Sequence, residues 1–218
     1  MFEIKTRKWL TLAACTALLT IARMAVAGPP LICHPFETGT TALLPWGNGP
    51  GWRTPDPAYD GDKLTQDMLR LLSTDGALLG RMENLRRATV YVMEHPQRAV
   101  GLLDALVARA AAQGPANRLA WFDAAYLIES YRQAEDAHQG VVLSEHKRPA
   151  TRYRELNELD GSAMLDALVA REGESAEIEF TRGLMAASNR LAKRHWDRAM
   201  ALAPPATPLA RNLAKFEH

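Results

Sequence analysis

The stretch RLAWFDAAYLIESYRQAEDAHQGVVLSEHKRP, which runs from Arg118 to Pro149, decides how the rest of the chain is organised. Large and very small side chains fall in it at positions i, i+3, i+4, i+7 and i+10, namely Trp121, Ala124, Ala125, Ile128 and Tyr131. Side chains at this spacing share one face of an α-helix, and the two alanines let a second helix approach closely. After a turn near Glu135 and Asp136, another apolar run begins at Ala137 and ends before Pro149. We therefore predict an all-α fold.

This spacing resembles the tetratricopeptide repeat, a helical hairpin of about 34 residues with small, aromatic and proline positions in fixed places. The first copy, residues 118–151, matches the signature at Trp121, Ala125, Ala137 and Pro149, and departs from it at Ala124, Ile128, Val141 and Ser144. The second copy, residues 173–206, matches in its second helix at Ala192, Trp196, Ala199 and Pro204. Its first-helix positions do not fit: Ala176, Glu179, Phe180 and Gly183. The resemblance implies a short right-handed array of antiparallel helix pairs, a tetratricopeptide-like α-solenoid, over Lys63 to His218, with Trp121 and Trp196 buried where helices meet.

The same resemblance implies a binding site, because in that family the first helix of each pair lines a concave groove for a protein segment. The equivalent positions here are Phe122, Tyr126 and Glu129, with Ser130 beside them. The two rings lie four residues apart on one side of the helix, and Glu129 follows a turn later to offer a carboxylate. In the alternative interpretation Phe122 and Tyr126 belong to the core. We expect a non-catalytic protein-binding or scaffolding module with a protein or peptide partner and no cofactor.

The N-terminus has the pattern of an export signal over residues 1–27. Basic residues come first, an apolar run from Trp9 to Ile21 follows, and Ala25-Val26-Ala27 forms a small-residue cleavage site. We predict cleavage after Ala27 and a periplasmic or secreted product. Two alternatives remain open. Leu12 to Cys15 fits a lipobox, which would make a membrane-anchored lipoprotein through Cys15, and the segment is also a short candidate for an uncleaved membrane anchor, interrupted by Arg23.

Charge and cysteine content narrow the class of protein. The whole chain has a net charge of +1, and without the four basic residues and one acidic residue of residues 1–27 the net charge is −2. A nucleic-acid binder would show a clustered basic surplus, so we expect no nucleic-acid partner. Cleavage would leave Cys33 as the single cysteine, and a single thiol cannot form a disulfide within its own chain. Stability must therefore come from packing.

Residues 28–62 are rich in proline, glycine and aromatic residues and show no helical period. We predict an irregular segment that packs its aromatic side chains, Phe36, Trp46, Trp52 and Tyr59, against a helical domain over residues 63–218. The alternative is a ligand-contacting segment. Apolar spacing predicts helices over Lys63 to Leu72, Leu78 to Met93 and Gln97 to Ala112 before the central one. The heptapeptide LDALVAR occurs at Leu103 and again at Leu165, as a duplication or by coincidence.

Few residues have the type and spacing of a catalytic or metal-binding site. Cys33-His34 pairs a thiol with an imidazole, and these two residues are weak metal-ligand candidates, since no Cys-x-x-Cys or His-x-x-x-His supplies further ligands. A periplasmic enzyme or metal-binding protein that uses Cys33 and His34 is the alternative function. Ser144 to Lys147 matches Ser-x-x-Lys without the companion motifs of penicillin-recognising enzymes.

The sequence holds two clusters of charged residues. His146 to Arg154 is a basic run, which suits a helix C-terminus or an anionic partner such as lipid headgroups. Arg81 to Arg87, RMENLRR, is expected to be a solvated helix face.

Overall fold

The computed structural model describes residues 29–74, 76–93, 95–114, 116–136 and 159–216. Within these ranges every regular element is helical, which confirms the all-α prediction for this part of the chain. The helices are α1 Pro30–Cys33, α2 Leu64–Leu71, α3 Leu78–Val92, α4 Pro96–Gln113, α5 Arg118–Asp136, α6 Gly161–Glu172, α7 Ala176–Met185, α8 Asn189–Leu202 and α9 Pro208–Leu213. Two 3₁₀ turns lie at Gly61–Lys63 and Ala214–Phe216.

Local signals set the helix boundaries. Pro96 opens α4, where its fixed backbone angle suits the first turn, and Gly114 ends that helix with a positive φ of 66°. Side-chain oxygens cap the N-termini of the later helices by accepting a backbone N–H bond. The capping residues of α6, α7, α8 and α9 are Asp160, Ser175, Ser188 and Thr207.

Helix α5 is the centre of the molecule. It contacts α1, α3, α4 and α6, and an unbroken run of its side chains from Phe122 to Tyr131 is buried. Because neighbours cover it on several sides, α5 does not present an open face over this run. The helix predicted to line a groove is instead the core of the domain.

The two tryptophans of the repeat signature are half-buried at helix contacts. Trp121 packs beside a small alanine cluster of Ala110, Ala120 and Ala124. Trp196 on α8 packs against Phe216 at 5.0 Å and lies directly over Gly183 of α7. Each indole N–H is buried without a hydrogen-bond partner among the described residues.

The two LDALVAR heptapeptides occupy equivalent places. The first lies on α4 and the second on α6, and both helices pack against α5. In each copy the two leucines are buried: Leu103 and Leu106 in the first, Leu165 and Leu168 in the second. The repeated sequence therefore has the same packing role on two neighbours of one helix.

Several predictions fall outside the described residues. They are the signal peptide with Cys15, the second helix of the first repeat copy from Ala137 to Pro149, the Ser144–Lys147 motif and the basic run from His146 to Arg154. In the described part of the chain, no helix is long and apolar enough to cross a membrane.

Candidate functional site

Residues 29–46 form an arm that lies along the helical domain and is largely irregular after the single turn of α1. That turn, which the Pro/Gly-rich composition did not predict, contacts α3, α5 and α7. Four apolar side chains of the arm are buried in the main core, namely Leu31, Ile32, Phe36 and Leu44. Phe36 meets Phe180 of α7 edge to face, with 5.9 Å between the ring centres. The surface that receives the arm is formed by α3, α5, α7 and α9, and we call it the arm groove.

A segment with one helical turn and otherwise irregular structure leaves most of its backbone polar groups without partners of its own, and here side chains of the helices bind them. The Gln133 side-chain oxygen accepts a hydrogen bond from the Leu31 N–H at 3.0 Å, and the Tyr126 hydroxyl donates to the Leu31 carbonyl at 3.2 Å. Both side chains come from α5. The main chain of Leu31 is thus held on both of its polar groups.

Helix α3 contributes a buried ion pair to the same groove. Arg86 donates two hydrogen bonds of 2.8 Å to the Glu83 carboxylate, and a further one of 3.2 Å to the Ile32 carbonyl. Glu83 in turn accepts the Phe36 N–H at 3.0 Å. Burial alone would raise the pKa of Glu83, but the hydrogen bonds from Arg86, Arg87 and the Phe36 N–H outweigh it and hold that pKa below its ordinary value.

Two asparagines bind the arm through both polar groups of their amides. Asn84 accepts the Leu44 N–H at 2.8 Å and donates to the Ala42 carbonyl at 3.0 Å. Asn212 of α9 accepts the Glu37 N–H at 3.0 Å and donates to the Glu37 carbonyl at 2.9 Å. These contacts recognise a polypeptide main chain without regard to its side chains.

The far end of the arm rests on aromatic and cationic side chains. The Trp46 ring lies 4.9 Å from the Arg86 guanidinium and 5.4 Å from that of Arg87. It also meets Tyr91 edge to face, and the Tyr91 hydroxyl donates to the Pro45 carbonyl at 2.8 Å.

The solvated face expected for RMENLRR is therefore wrong. Arg81, Glu83, Asn84 and Arg86 are all buried, because the arm covers one side of α3 and α5 covers another. Arg81 does not face the arm: it forms a bidentate pair with Asp123 of α5, at 2.6 and 2.8 Å. That pair fixes α3 against α5 and so holds the wall of the arm groove in place.

The four residues predicted to line a partner groove are buried in this structure, with Phe122, Tyr126 and Ser130 fully enclosed and Glu129 at 8 % exposure. Tyr126 does contact the chain's own arm, at Leu31 on the turn of α1. Glu129 accepts the Gly161 N–H at 2.9 Å and pairs with Arg132, and burial raises its pKa although Arg132 lowers it. The arrangement agrees with the core interpretation of Phe122 and Tyr126.

Cys33 and His34 sit at the end of α1. Burial raises the pKa of the Cys33 thiol to about 11 although Arg86 lowers it, so the thiol is neutral at pH 7 and a poor nucleophile. Burial, Lys215 and Arg86 together lower the pKa of His34, whose ring meets Phe216 at 5.0 Å. Across the described ranges, no group of three or more His, Cys, Asp or Glu side chains is placed to hold a metal ion.

No protein-family model, curated protein sequence or solved structure matches this chain.

Sequence reasoning missed the polar side chains of the groove: Glu83, Asn84, Arg86, Tyr91 and Asn212. One signal was available to find them. A segment with many prolines and glycines has backbone N–H and C=O groups that regular structure does not satisfy. Once its apolar side chains are buried, those groups need partners from elsewhere, and side chains such as Asn and Arg provide them.

Proposed function

We propose that this chain is an exported, non-catalytic protein-binding module, periplasmic or secreted, whose helical groove binds an extended segment of a protein partner. The groove is the arm groove, where the chain's own residues 29–46 lie in this structure. In this proposal it takes the place of the concave face that tetratricopeptide-like helix pairs present.

The observation that carries the proposal is the way in which the arm is held. Asn84 and Asn212 each donate to one main-chain carbonyl of the arm and accept from one main-chain N–H of the arm, as a receptor for an extended peptide does. Main-chain bonds of this kind supply affinity, while pockets for alternate side chains supply specificity. The apolar side chains buried here are Leu31 and Ile32, on the single turn of α1, and Phe36, in the irregular part of the arm.

A nicked protein tests whether the groove binds a peptide that is not covalently attached. Residues 48–51 are exposed at the tip of the loop that follows the arm, so a protease site placed there can be cut after the full chain has folded. We expect a fluorescent peptide of residues 29–46 to replace the cleaved arm and to bind saturably, as measured by fluorescence anisotropy.

Two matched peptides give the control. Changing Leu31 and Ile32 to Asp should weaken binding at least ~30-fold, because each change puts a charge into a closed apolar pocket. Changing Thr40, which is exposed, to Asp should leave binding within about threefold. The proposal fails if the unmodified peptide binds no better than the Leu31/Ile32 variant, or if cutting the loop unfolds the protein.

A further inference from the structure

We propose that the partner is a second copy of this chain, so that the arm of each copy fills the arm groove of the other in a reciprocal, arm-exchanged dimer. This rests on the proposed function, because the groove must first accept an arm that is not its own. The occupant is argued from the structure itself: residues 29–46 are the segment for which the groove's pockets and hydrogen bonds are already matched, and every copy carries them.

The fit between arm and groove is specific along its whole length. The apolar side chains at its start fill closed pockets, Glu37 pairs with Arg211 at 2.7 Å and with Lys215 at 3.3 Å, and Trp46 lies between Arg87 and Tyr91. An arm from another copy makes all of these contacts again. Exchange therefore leaves the interface unchanged, and its equilibrium depends on protein concentration and on the connecting loop.

The connection between arm and domain has the length that exchange requires. Residues 47–60 form an irregular loop whose tip is exposed, and the Gly47 N–H donates to the Thr54 carbonyl at 3.0 Å to close it. If this contact opens together with the hydrogen bonds of Trp52, Asp56 and Tyr59 to the helices, 14 residues extend to about 45 Å at ~3.3 Å per residue. A domain of this size has a radius of gyration of about 16 Å, so an opened arm reaches the groove of a neighbouring copy.

One close contact allows exchange to be detected directly. Gly80, in the first turn of α3, faces the side chain of Thr41 in the arm. A methyl group added at Gly80 would lie 2.3 Å from Thr41 Cγ2 and 2.8 Å from its Cβ, so Gly80→Ala should force its own arm out of place. Thr41→Gly removes the side chain that clashes.

The experiment uses these substitutions in separate full-length chains. One chain carries Gly80→Ala and the other Thr41→Gly; they are unfolded and refolded together, and mass is measured by light scattering and melting by scanning fluorimetry. In an exchanged dimer the Thr41→Gly arm fills the Gly80→Ala groove, and the wild-type arm fills the wild-type groove. We expect a dimer that melts roughly 3–9 °C above the Gly80→Ala chain refolded alone.

The double variant Gly80→Ala/Thr41→Gly in one chain shows that the two substitutions compensate, and it should also melt well above Gly80→Ala. If the double variant recovers and the mixture yields only monomers with separate melting points, the second-copy proposal is overturned. Peptide exchange in the nicked protein then shows whether the proposed function fails together with the second-copy proposal. Binding of the free arm peptide leaves the groove as a site for another protein, and failure of that binding overturns the proposed function as well.

Discussion

The Glu83 carboxylate accepts hydrogen bonds from three different residues. The donors are Arg86 and Arg87 on the same helix and the Phe36 N–H in the arm. A buried carboxylate is costly unless its oxygens are satisfied, and here both of them are. One side chain thus joins the charge balance of α3 to the position of the arm.

We predict that the contribution of Glu83 to stability is lost in acid. Its pKa is lower in the folded protein than the ordinary value of 4.5, so the stabilisation is present above that value and disappears as the pH falls through the lower, folded pKa. Glu83→Gln should therefore lower the free energy of unfolding at pH 7 by about 1–3 kcal/mol. The gap from wild type should shrink below pH 4.5.

Urea denaturation from pH 7 to pH 3 measures that gap. Glu177→Gln, at a partly exposed carboxylate in the first turn of α7, is the matched control and should change stability by no more than about 0.5 kcal/mol. A Glu83→Gln gap that stays constant over the whole pH range would show that the carboxylate charge does not hold the arm.

At the scale of elements, helix α8 depends on a close approach to α7. Gly183 of α7 leaves the space that the Trp196 indole of α8 occupies: a methyl group there would lie 2.1 Å from the indole nitrogen. The indole is rigid, and a Cβ that close cannot be accommodated without moving one helix. The small residue sets the distance between the two helices.

We predict that Gly183→Ala destabilises the protein by about 1–3 kcal/mol through this overlap, in spite of the better helix propensity of alanine. Gly101→Ala on α4 is the control, because a methyl group there meets no atom within 4 Å. That substitution should stabilise by about 0.5–1 kcal/mol. Thermal unfolding of both variants gives the comparison, and an equal response would mean that the α7–α8 contact is not tight.

The helices could be predicted because their signals are local. The apolar stripe beginning at Leu78 and the Pro96 and Gly114 boundaries act over a few residues, and α3, α4 and the start of α5 agree with them. The arm groove could not be found in this way. Arg81 pairs with Asp123 and Glu37 with Asn212 across long sequence separations. No local sequence pattern marks these residues as partners.

The site predicted on α5 rests on local spacing as well. Phe122 and Tyr126 do have the spacing of a helix face, and spacing alone does not tell what covers that face. The part of the cover that Tyr126 contacts is the arm, whose composition predicts irregular structure and no particular place.

At the scale of the whole molecule, the arm should open separately from the rest. It precedes a loop with an exposed tip, and side-chain hydrogen bonds hold its main chain, whereas α5 is enclosed by several helices. We predict that the amides of Leu31, Phe36 and Leu44 exchange with solvent through an opening that costs less than global unfolding.

Native-state hydrogen exchange, followed by mass spectrometry in low denaturant, measures the two opening energies. Glu83→Gln should speed exchange of the arm amides about tenfold beyond any effect on the centre of α5. Identical protection and identical denaturant dependence of arm and α5 would show instead that the arm leaves only when the whole domain unfolds.

The contacts between Glu37 and α9 bear on the order in which the chain is made. Asn212 and Arg211 bind Glu37 of the arm, which is synthesised some 175 residues earlier. Phe216 packs against the ring of His34, which also lies in the arm. A growing chain releases the arm long before α9, so the contacts of Glu37 form only after α9 has emerged, whereas α3 and α5 can bind the rest of the arm earlier. Contacts this distant in sequence also form slowly. Binding of Glu37 is therefore the last step in docking the arm, and a chain without α9 would leave that part of the arm unbound.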